Sequence, residues 1–314
     1  LSGRHEDATE IPVDVSLSYV KSRGETLVLS FITDITELKQ SQKALQRYSE
    51  TLAEMVDART AELREAQAQL LSQQRLQQEL ELAEQVQSSL LPRQLPVLDG
   101  FDFAATALPA RYVSGDFYDF VCRSAEGCHV VLADIAGKGI PAALLTSTAR
   151  ALLRAEAEHQ SSPASILTNV NASLSEDLAH AEVFITVFLA LLEAETGKLT
   201  FANAGHTEAL WWRPATRTCQ RLQATGLPLG IFADNAIGEE SLWLRPGDSV
   251  VFYSDGITEA TSPADELFGA DRLAAVVRDH AGLGANALAE GIIGAVEDFR
   301  GDGARSDDVT LVVL

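Results

Sequence analysis

Four short aspartate clusters hold the residues best suited to chemistry. They are Ser114-Gly-Asp116-Phe-Tyr-Asp119, Ala133-Asp134-Ile135-Ala-Gly137-Lys138-Gly139, Tyr253-Ser-Asp255-Gly256 and Ser306-Asp307-Asp308-Val-Thr310. The second follows the apolar run Val130–Leu132, the third follows Val250–Phe252, and the fourth precedes Val309–Leu314. Each cluster is therefore expected at a strand end or a turn. A carboxylate there is held rigidly at the rim of a sheet, and a glycine beside it lets backbone and solvent approach closely. Oxygen-only donors suit Mg²⁺ or Mn²⁺. Two such ions a few ångströms apart can activate water and clamp a phosphoryl group. Phosphate-ester hydrolysis is extremely slow unaided, so electrostatic stabilisation is what such a site must supply.

Taken singly, each cluster is weak, because Asp before Gly is an ordinary turn pair. Their force lies in recurring four times in one region. The rest of the composition narrows the field. With 24 Lys and Arg against 45 Asp and Glu, the formal net charge is -21. That charge repels a phosphate backbone, so no nucleic-acid partner is expected. Cys122, Cys128 and Cys219 lack ligand-like spacing and histidine partners, and are expected to be reduced thiols of a cytoplasmic protein. No apolar stretch approaches the ~20 residues that span a bilayer, and the residues carry no pattern expected of a signal peptide. At 314 residues, 46% of them hydrophobic, the chain can bury the core of about two domains.

The elements that must position the clusters fall into three segments: 1–35, 36–92 and 93–314. In the first, Ile11, Val13, Val15 and Leu17 alternate with polar residues, as in a half-buried strand. Lys21 to Gly24 supplies a turn, and Thr26 to Ile32 returns as the second strand of a hairpin. Asp34 then caps a helix, with Glu37 completing a capping box. Residues 35–91 contain no Gly and no Pro and are rich in Leu, Ala, Gln and Glu, which predicts one long helix. Leu38, Leu45 and Leu52 recur every seven residues, with Tyr48 and Met55 beside them. Leu63 and Leu70 continue four residues out of step, and Leu76, Leu80, Ala83 and Leu90 form a third stripe. This is a heptad seam with two phase breaks, read as a dimeric coiled coil; a single amphipathic helix packed on its own domain is the alternative.

The third segment reads as α/β, more closely α+β. Strands are expected at Val130–Ile135, Phe184–Leu192, Leu199–Ala202, Ala209–Arg213, Ser249–Tyr253 and Val309–Leu314. Helices are expected at Pro141–His159, Pro163–Leu178, Ala270–His280 and Ala285–Arg300. Strands from 184 to 253 follow one another through short turns, which predicts antiparallel sheet.

The ordered series formed by these four clusters, together with Asn203-Ala-Gly-His206 and the extension of the third to Ile-Thr-Glu259-Ala, resembles the SpoIIE/RsbU-type phosphatases. These are a bacterial branch of the metal-dependent type 2C protein phosphatases. The resemblance begins near residue 80 with Ala83-Glu-Gln-Val-Gln-Ser-Ser-Leu-Leu-Pro92. It implies a type 2C β-sandwich flanked by helices and two Mn²⁺ or Mg²⁺ ions. It also implies metal ligation by Asp116, Asp134 (bridging both ions), the Ile135 carbonyl, Asp255 and Asp307, with water activated by the metals as nucleophile.

Around these, Asp119, Gly137, Lys138, Asn203, His206, Gly256 and Asp308 are candidates for ligand support or substrate contact. Asp119 and Asp308 read equally well as turn residues. His206 reads as a packed turn histidine, with proton donor as the alternative, and Lys138 as a solvated loop lysine or a phosphate contact. Arg111 is the nearest arginine to the first cluster and receives no role. The substrate the resemblance implies is a phosphorylated STAS-type anti-sigma-factor antagonist. Residues 11–40, ending Thr33-Asp-Ile-Thr-Glu37, resemble the last strands of a PAS sensor domain and its exit motif. Two competing readings are an inactive partner-switching scaffold of the same fold and a metal phosphodiesterase, which would usually use histidine ligands.

Overall fold

The computed structural model describes residues 1–4, 7, 9–22, 25–110, 113–124, 127–137, 140–303 and 305–314. Arg111, Lys138, Gly139 and the expected turn residues Arg23 and Gly24 lie outside them. The contacts divide the chain into two units, Leu1–Leu76 and Gln77–Leu314.

In the first unit, β1 (Ser2–Arg4), β2 (Glu10–Ser22) and β3 (Glu25–Asp34) form an antiparallel sheet in that order. The expected half-burial is met in part: Val13 is buried and Ile11 and Val15 on its face are partly covered, while Leu17 and every position of β3 are exposed. The physical reason is that the three strands form one layer, and among the described residues of the unit no second sheet covers it. Asp34 accepts hydrogen bonds from the Thr36 backbone N–H (2.8 Å) and hydroxyl (2.6 Å) at the start of α1 (Thr36–Leu90). This helix has no buried residue; Leu45 and Leu63 of the seam are about 70% exposed.

The second unit continues through β4 (Ala104–Leu108), β5 (Phe117–Ser124), β6 (Gly127–Ile135), α2 (Ile140–His159), α3 (Pro163–Ala181), β7 (Ile185–Glu193), β8 (Lys198–Ala204), β9 (Ala209–Arg213), β10 (Thr218–Leu222), β11 (Glu240–Trp243), β12 (Ser249–Tyr253), α4 (Asp255–Thr258), α5 (Gly269–His280), α6 (Ala285–Arg300) and β13 (Val309–Val313). Its strands form two five-stranded sheets, ordered β10-β9-β12-β13-β4 and β11-β8-β7-β6-β5. All pairings between these strands are antiparallel.

The two-residue period of the strands sorts side chains between layers. Val130 and Leu132 of β6, Phe188 and Ala190 of β7, Val250 and Phe252 of β12, and Val312 of β13 fill the space between the sheets. Their neighbours Val131, Ala133, Val187 and Leu189 pack outward against α2 and α3. Val251, Tyr253, Leu311 and Val313 pack outward against α5 and α6. The result is the expected β-sandwich with helices on both outer faces. Among the described residues no helix is long and apolar enough to cross a membrane.

Two expectations need correction in and around β5. Cys122 and Cys128 are not free thiols: they stand opposite each other in the β5–β6 ladder, Cα atoms 4.0 Å apart, and form a disulfide. Their spacing of six gave no hint, because only the hairpin register brings them face to face. Cys219 is free. Asp119 is not a turn residue: it sits within β5, 1% exposed, with Arg150 Nε at 2.9 Å and Arg154 Nη1 at 2.8 Å, both from α2. A buried carboxylate is tolerated only when paired this way. Removing it strands two cations between helix and sheet. Asp119→Ala is therefore expected to lower unfolding free energy by roughly 2–4 kcal/mol, Arg154 being partly solvated. Urea denaturation measures this; a loss below about 1 kcal/mol would contradict the pairing argument.

Candidate metal and phosphoryl-transfer site

The four clusters converge at one edge of the sandwich because both sheets send strand ends there. Asp116 immediately precedes β5, Asp134 is the penultimate residue of β6, Asp255 opens α4 two residues after β12, and Asp307 lies two residues before β13. Asp134, Ile135, Gly137, Asp255, Asp307 and His206 line a cleft of ≈ 300 Å³. Asp116 does not line it. It lies behind Asp134, 5% exposed, and borders a cavity of ≈ 40 Å³ shared with Gln87, Ser114 and Arg150.

Close approach of the clusters depends on two glycines. A Cβ on Gly115 would lie 3.0 Å from the Ile135 carbonyl oxygen and 3.2 Å from Asp134 Oδ1. A Cβ on Gly256 would lie 2.0 Å from the Asp308 carbonyl oxygen, which no side chain can accommodate. Asp308 does the remaining fastening. Its Oδ1 accepts from Ala110 N at 2.7 Å, and its Oδ2 accepts from the Ser114 hydroxyl at 2.8 Å and from Gly115 N at 2.9 Å. The segment that ends in Asp116 is thus tied to the one that carries Asp307. Ser254, wholly buried, accepts from Thr310 N (2.9 Å) and donates to the Asp308 carbonyl (3.2 Å), locking the third cluster to the fourth.

Some of the supporting residues are invisible to sequence reasoning. Gln87, near the end of α1, donates to the Ser114 carbonyl (2.7 Å) and accepts from Ser114 N (2.8 Å). Nothing marks this glutamine within a glutamine-rich helix except its place in the Ala83–Pro92 segment. Asn203 proves to be the maker of its turn: Oδ1 accepts from His206 N at 2.8 Å, and Nδ2 donates to the His206 carbonyl at 3.2 Å. His206 is buried, with Nδ1 2.8 Å from the Thr186 hydroxyl and Nε2 unpartnered. Burial pushes its pKa down to about 4, against the opposing pull of the Tyr253 carbonyl, so the ring is neutral at pH 7.

Electrostatically the site is strained in one direction. Burial, then the charge of Asp134, drives the Asp116 carboxyl well above the ordinary carboxylate range, with the Ser254 and Thr310 hydroxyls opposing. Burial and then the Asp255 charge raise Asp134 to about 6; its hydrogen bond with Asp116 works the other way. Asp116 Oδ2 has no partner although buried. Crowded carboxylates, an orphaned buried oxygen and oxygen donors throughout are the features a hard divalent cation relieves. Among the described residues, no three His, Cys, Asp or Glu side chains are gathered tightly enough to form a ready coordination shell. The carboxylates are neighbours that a cation would draw together.

The pH dependence has a definite sign. A carboxyl whose folded pKa is raised carries no penalty below its unfolded pKa of 3.8, an increasing penalty up to about 6, and the full penalty above that. The full penalty is roughly 3 kcal/mol. In chelator, Asp134→Asn should therefore melt higher than the parent protein at pH 7.5 and show no such advantage at pH 4. Excess Mn²⁺ should reverse the order at pH 7.5. Scanning fluorimetry reads all three, and an offset unchanged between the two pH values would refute the repulsion argument.

Comparisons with known proteins agree with this geometry. Residues 124–314 match the family model for Stage II sporulation protein E (SpoIIE). Phosphoserine phosphatase RsbU of Bacillus subtilis is 33% identical over 245 residues, covering 77% of this chain and 71% of that protein. Phosphoserine phosphatase RsbP of the same organism is 24% identical, covering 75% of this chain and 57% of that one. Among solved structures, the SiaA-PP2C domain of Pseudomonas aeruginosa superposes with a TM-score of 0.70 at 26% identity, covering 77% of this chain and 98% of that domain. The chain belongs to the SpoIIE family, a bacterial branch of the metal-dependent type 2C protein serine/threonine phosphatases.

Proposed function

We propose that the chain removes phosphate from serine or threonine of a regulatory partner protein. Two Mg²⁺ or Mn²⁺ ions would be held by Asp116, Asp134, the Ile135 carbonyl, Asp255 and Asp307. The observation that carries this reading is the convergence of Asp134, Asp255 and Asp307 on one cleft, with the buried Asp116 next to Asp134. When bound, the ions supply the positive charge that activates water and neutralises the phosphoryl oxygens. The chain's own residues do the positioning. Asp308 fixes the Asp116 segment, and Gly115 and Gly256 allow the strand ends to close in. His206 is neutral beside the cleft and can offer a hydrogen bond without adding charge. The substrate implied by the resemblance to SpoIIE/RsbU-type phosphatases is a phosphorylated STAS-type anti-sigma-factor antagonist in the cytoplasm, and the relatives named phosphoserine phosphatase support phosphoserine as its reacting group.

Hydrolysis of p-nitrophenyl phosphate should need millimolar Mn²⁺ or Mg²⁺ and vanish in excess chelator. Asp134→Asn and Asp255→Asn should each lower turnover roughly a thousandfold or more with the fold retained. Full activity in chelator, or near-normal variants at saturating metal, would sink the reading. Activity missing under all metal conditions would favour a partner-switching scaffold.

The remaining segments fit a regulatory role. We assign 1–35 to the end of a PAS sensor, 36–92 to a coiled-coil linker and 93–314 to the catalytic domain. The apolar seam of α1 is exposed in the single chain, as a parallel homodimer requires. Its C-terminal turns reach the Asp116 segment through the Gln87–Ser114 pair. Sedimentation should find a dimer, and deleting four residues near Leu70 should re-phase the seam and alter turnover without unfolding residues 93–314. A monomer, or unchanged turnover in the re-phased protein, would reduce the linker to a tether.

A further inference from the structure

Beside the catalytic cleft runs a loop, residues 225–235, whose backbone is unusually well anchored for irregular chain. Thr225 N and Gly226 N donate to the Asn203 carbonyl at 2.8 and 3.1 Å. Ile185 and Leu229 exchange both backbone hydrogen bonds, at 3.0 and 2.8 Å. Asn171 reaches from α3, its Oδ1 accepting from Gly230 N at 2.9 Å and its Nδ2 donating to the Phe232 carbonyl at 2.9 Å. Asn235 Nδ2 donates to the Leu227 carbonyl at 2.7 Å. Both asparagines are buried, so their amides are committed to holding this loop.

What the anchored loop presents to solvent is apolar. Leu229 turns into the core, while Leu227 is 50%, Ile231 43% and Phe232 61% exposed. On a slack loop such side chains could fold inward; here the backbone is pinned on both sides of them. The loop flanks the cleft at two points: Pro228 packs on Gly205, and Leu229 is bonded to Ile185, next to Phe184. Gly205 and Phe184 both line the cleft, and Phe184 is itself 37% exposed. Single exposed apolar residues are ordinary, but several large ones held rigidly beside a reactive cleft are a recognition surface.

We propose that Leu227, Ile231, Phe232 and Phe184 form an apolar docking rim for the phosphorylated partner, selecting phosphoserine segments that carry large apolar residues beside the phosphate. This rests on the phosphatase reading, because a protein phosphate entering the cleft must bring its flanking residues against this rim. The aspartates of the cleft, Asp134, Asp255 and Asp307, would take the phosphate through cations and cannot read its sequence context. Discrimination therefore falls to the rim, and it adds to binding of the peptide without touching the phosphate.

The test compares three probes on the full chain with Mn²⁺: p-nitrophenyl phosphate, a synthetic phosphoserine peptide flanked by Leu and Phe, and the same peptide flanked by Ser and Gly. The parent protein should favour the apolar peptide in kcat/KM by on the order of tenfold, mainly through KM. The combined variant Leu227→Ser, Ile231→Ser and Phe232→Ser should lose that preference while hydrolysing p-nitrophenyl phosphate at the parent rate, which also reports an intact fold. Equal use of the two peptides by the parent, or a preference that survives in the variant, overturns the rim. A change of oligomeric state in the variant with peptide preference kept would make the loop a self-association surface instead. Loss of p-nitrophenyl phosphate hydrolysis by the parent overturns the phosphatase reading, and the rim with it.

Discussion

Like charges held close together in a partly dry place raise the free energy of the fold, and this chain does so deliberately. Asp116 is buried beside a partly covered Asp134; the charge of Asp134 pushes Asp116 toward the neutral form, and the charges of Asp255 and Asp307 push Asp134 the same way. Without a counter-charge the arrangement is a defect. Hard cations would turn it into a clamp, since the repulsion between carboxylates would become attraction for the ion. The layers around it can be understood as what keeps the four carboxylates from drifting apart.

Two sheets are needed for that. A single sheet edge would present carboxylates in a row, whereas a sandwich brings strand ends from two sheets to one rim. Asp116 and Asp134 come from the sheet backed by α2 and α3, and Asp255 and Asp307 from the sheet backed by α5 and α6. The side chains between the sheets set their spacing: Phe188 stacks beside Phe201 of its own sheet and packs across the layer on Phe252. The fasteners at the rim are polar: Asp308 binds Ser114 and Gly115 ahead of β5 and so crosses between the sheets, while the two bonds of Ser254 hold the ends of β12 and β13 together.

The central strands β6, β7, β12 and β13 are legible in the sequence because they are apolar on both faces. The strands with weak marks, β4, β5, β10 and β11, are the edges of the two sheets. An edge strand has one ladder partner, and β10 and β11 are largely exposed, so polar residues dilute the pattern. β5 is hidden for a different reason: it is buried, but Asp119 within it looks like one more turn aspartate until Arg150 and Arg154 are seen beside it. The aspartates of the cleft could be found from motifs, since each motif is local. Gln87, Thr186 and Ser254 could not, because a hydrogen bond between residues tens of positions apart leaves no trace in spacing. The cysteine pair fails in the same way, its geometry belonging to the hairpin register.

The bonds from Asp308 to residues 110–115 span nearly the whole catalytic unit in sequence, and β13 lies inside its sheet, joining the edge strand β4 to β12. During synthesis, β4 emerges about two hundred residues before its ladder partner. Until β13 arrives, one sheet is split and the Asp116 segment has no anchor. Such long-range closure is slow, because chain entropy is spent before the contacts form. A nascent chain thus passes through synthesis with its carboxylates dispersed, and the capacity to capture cations would be the last property to appear.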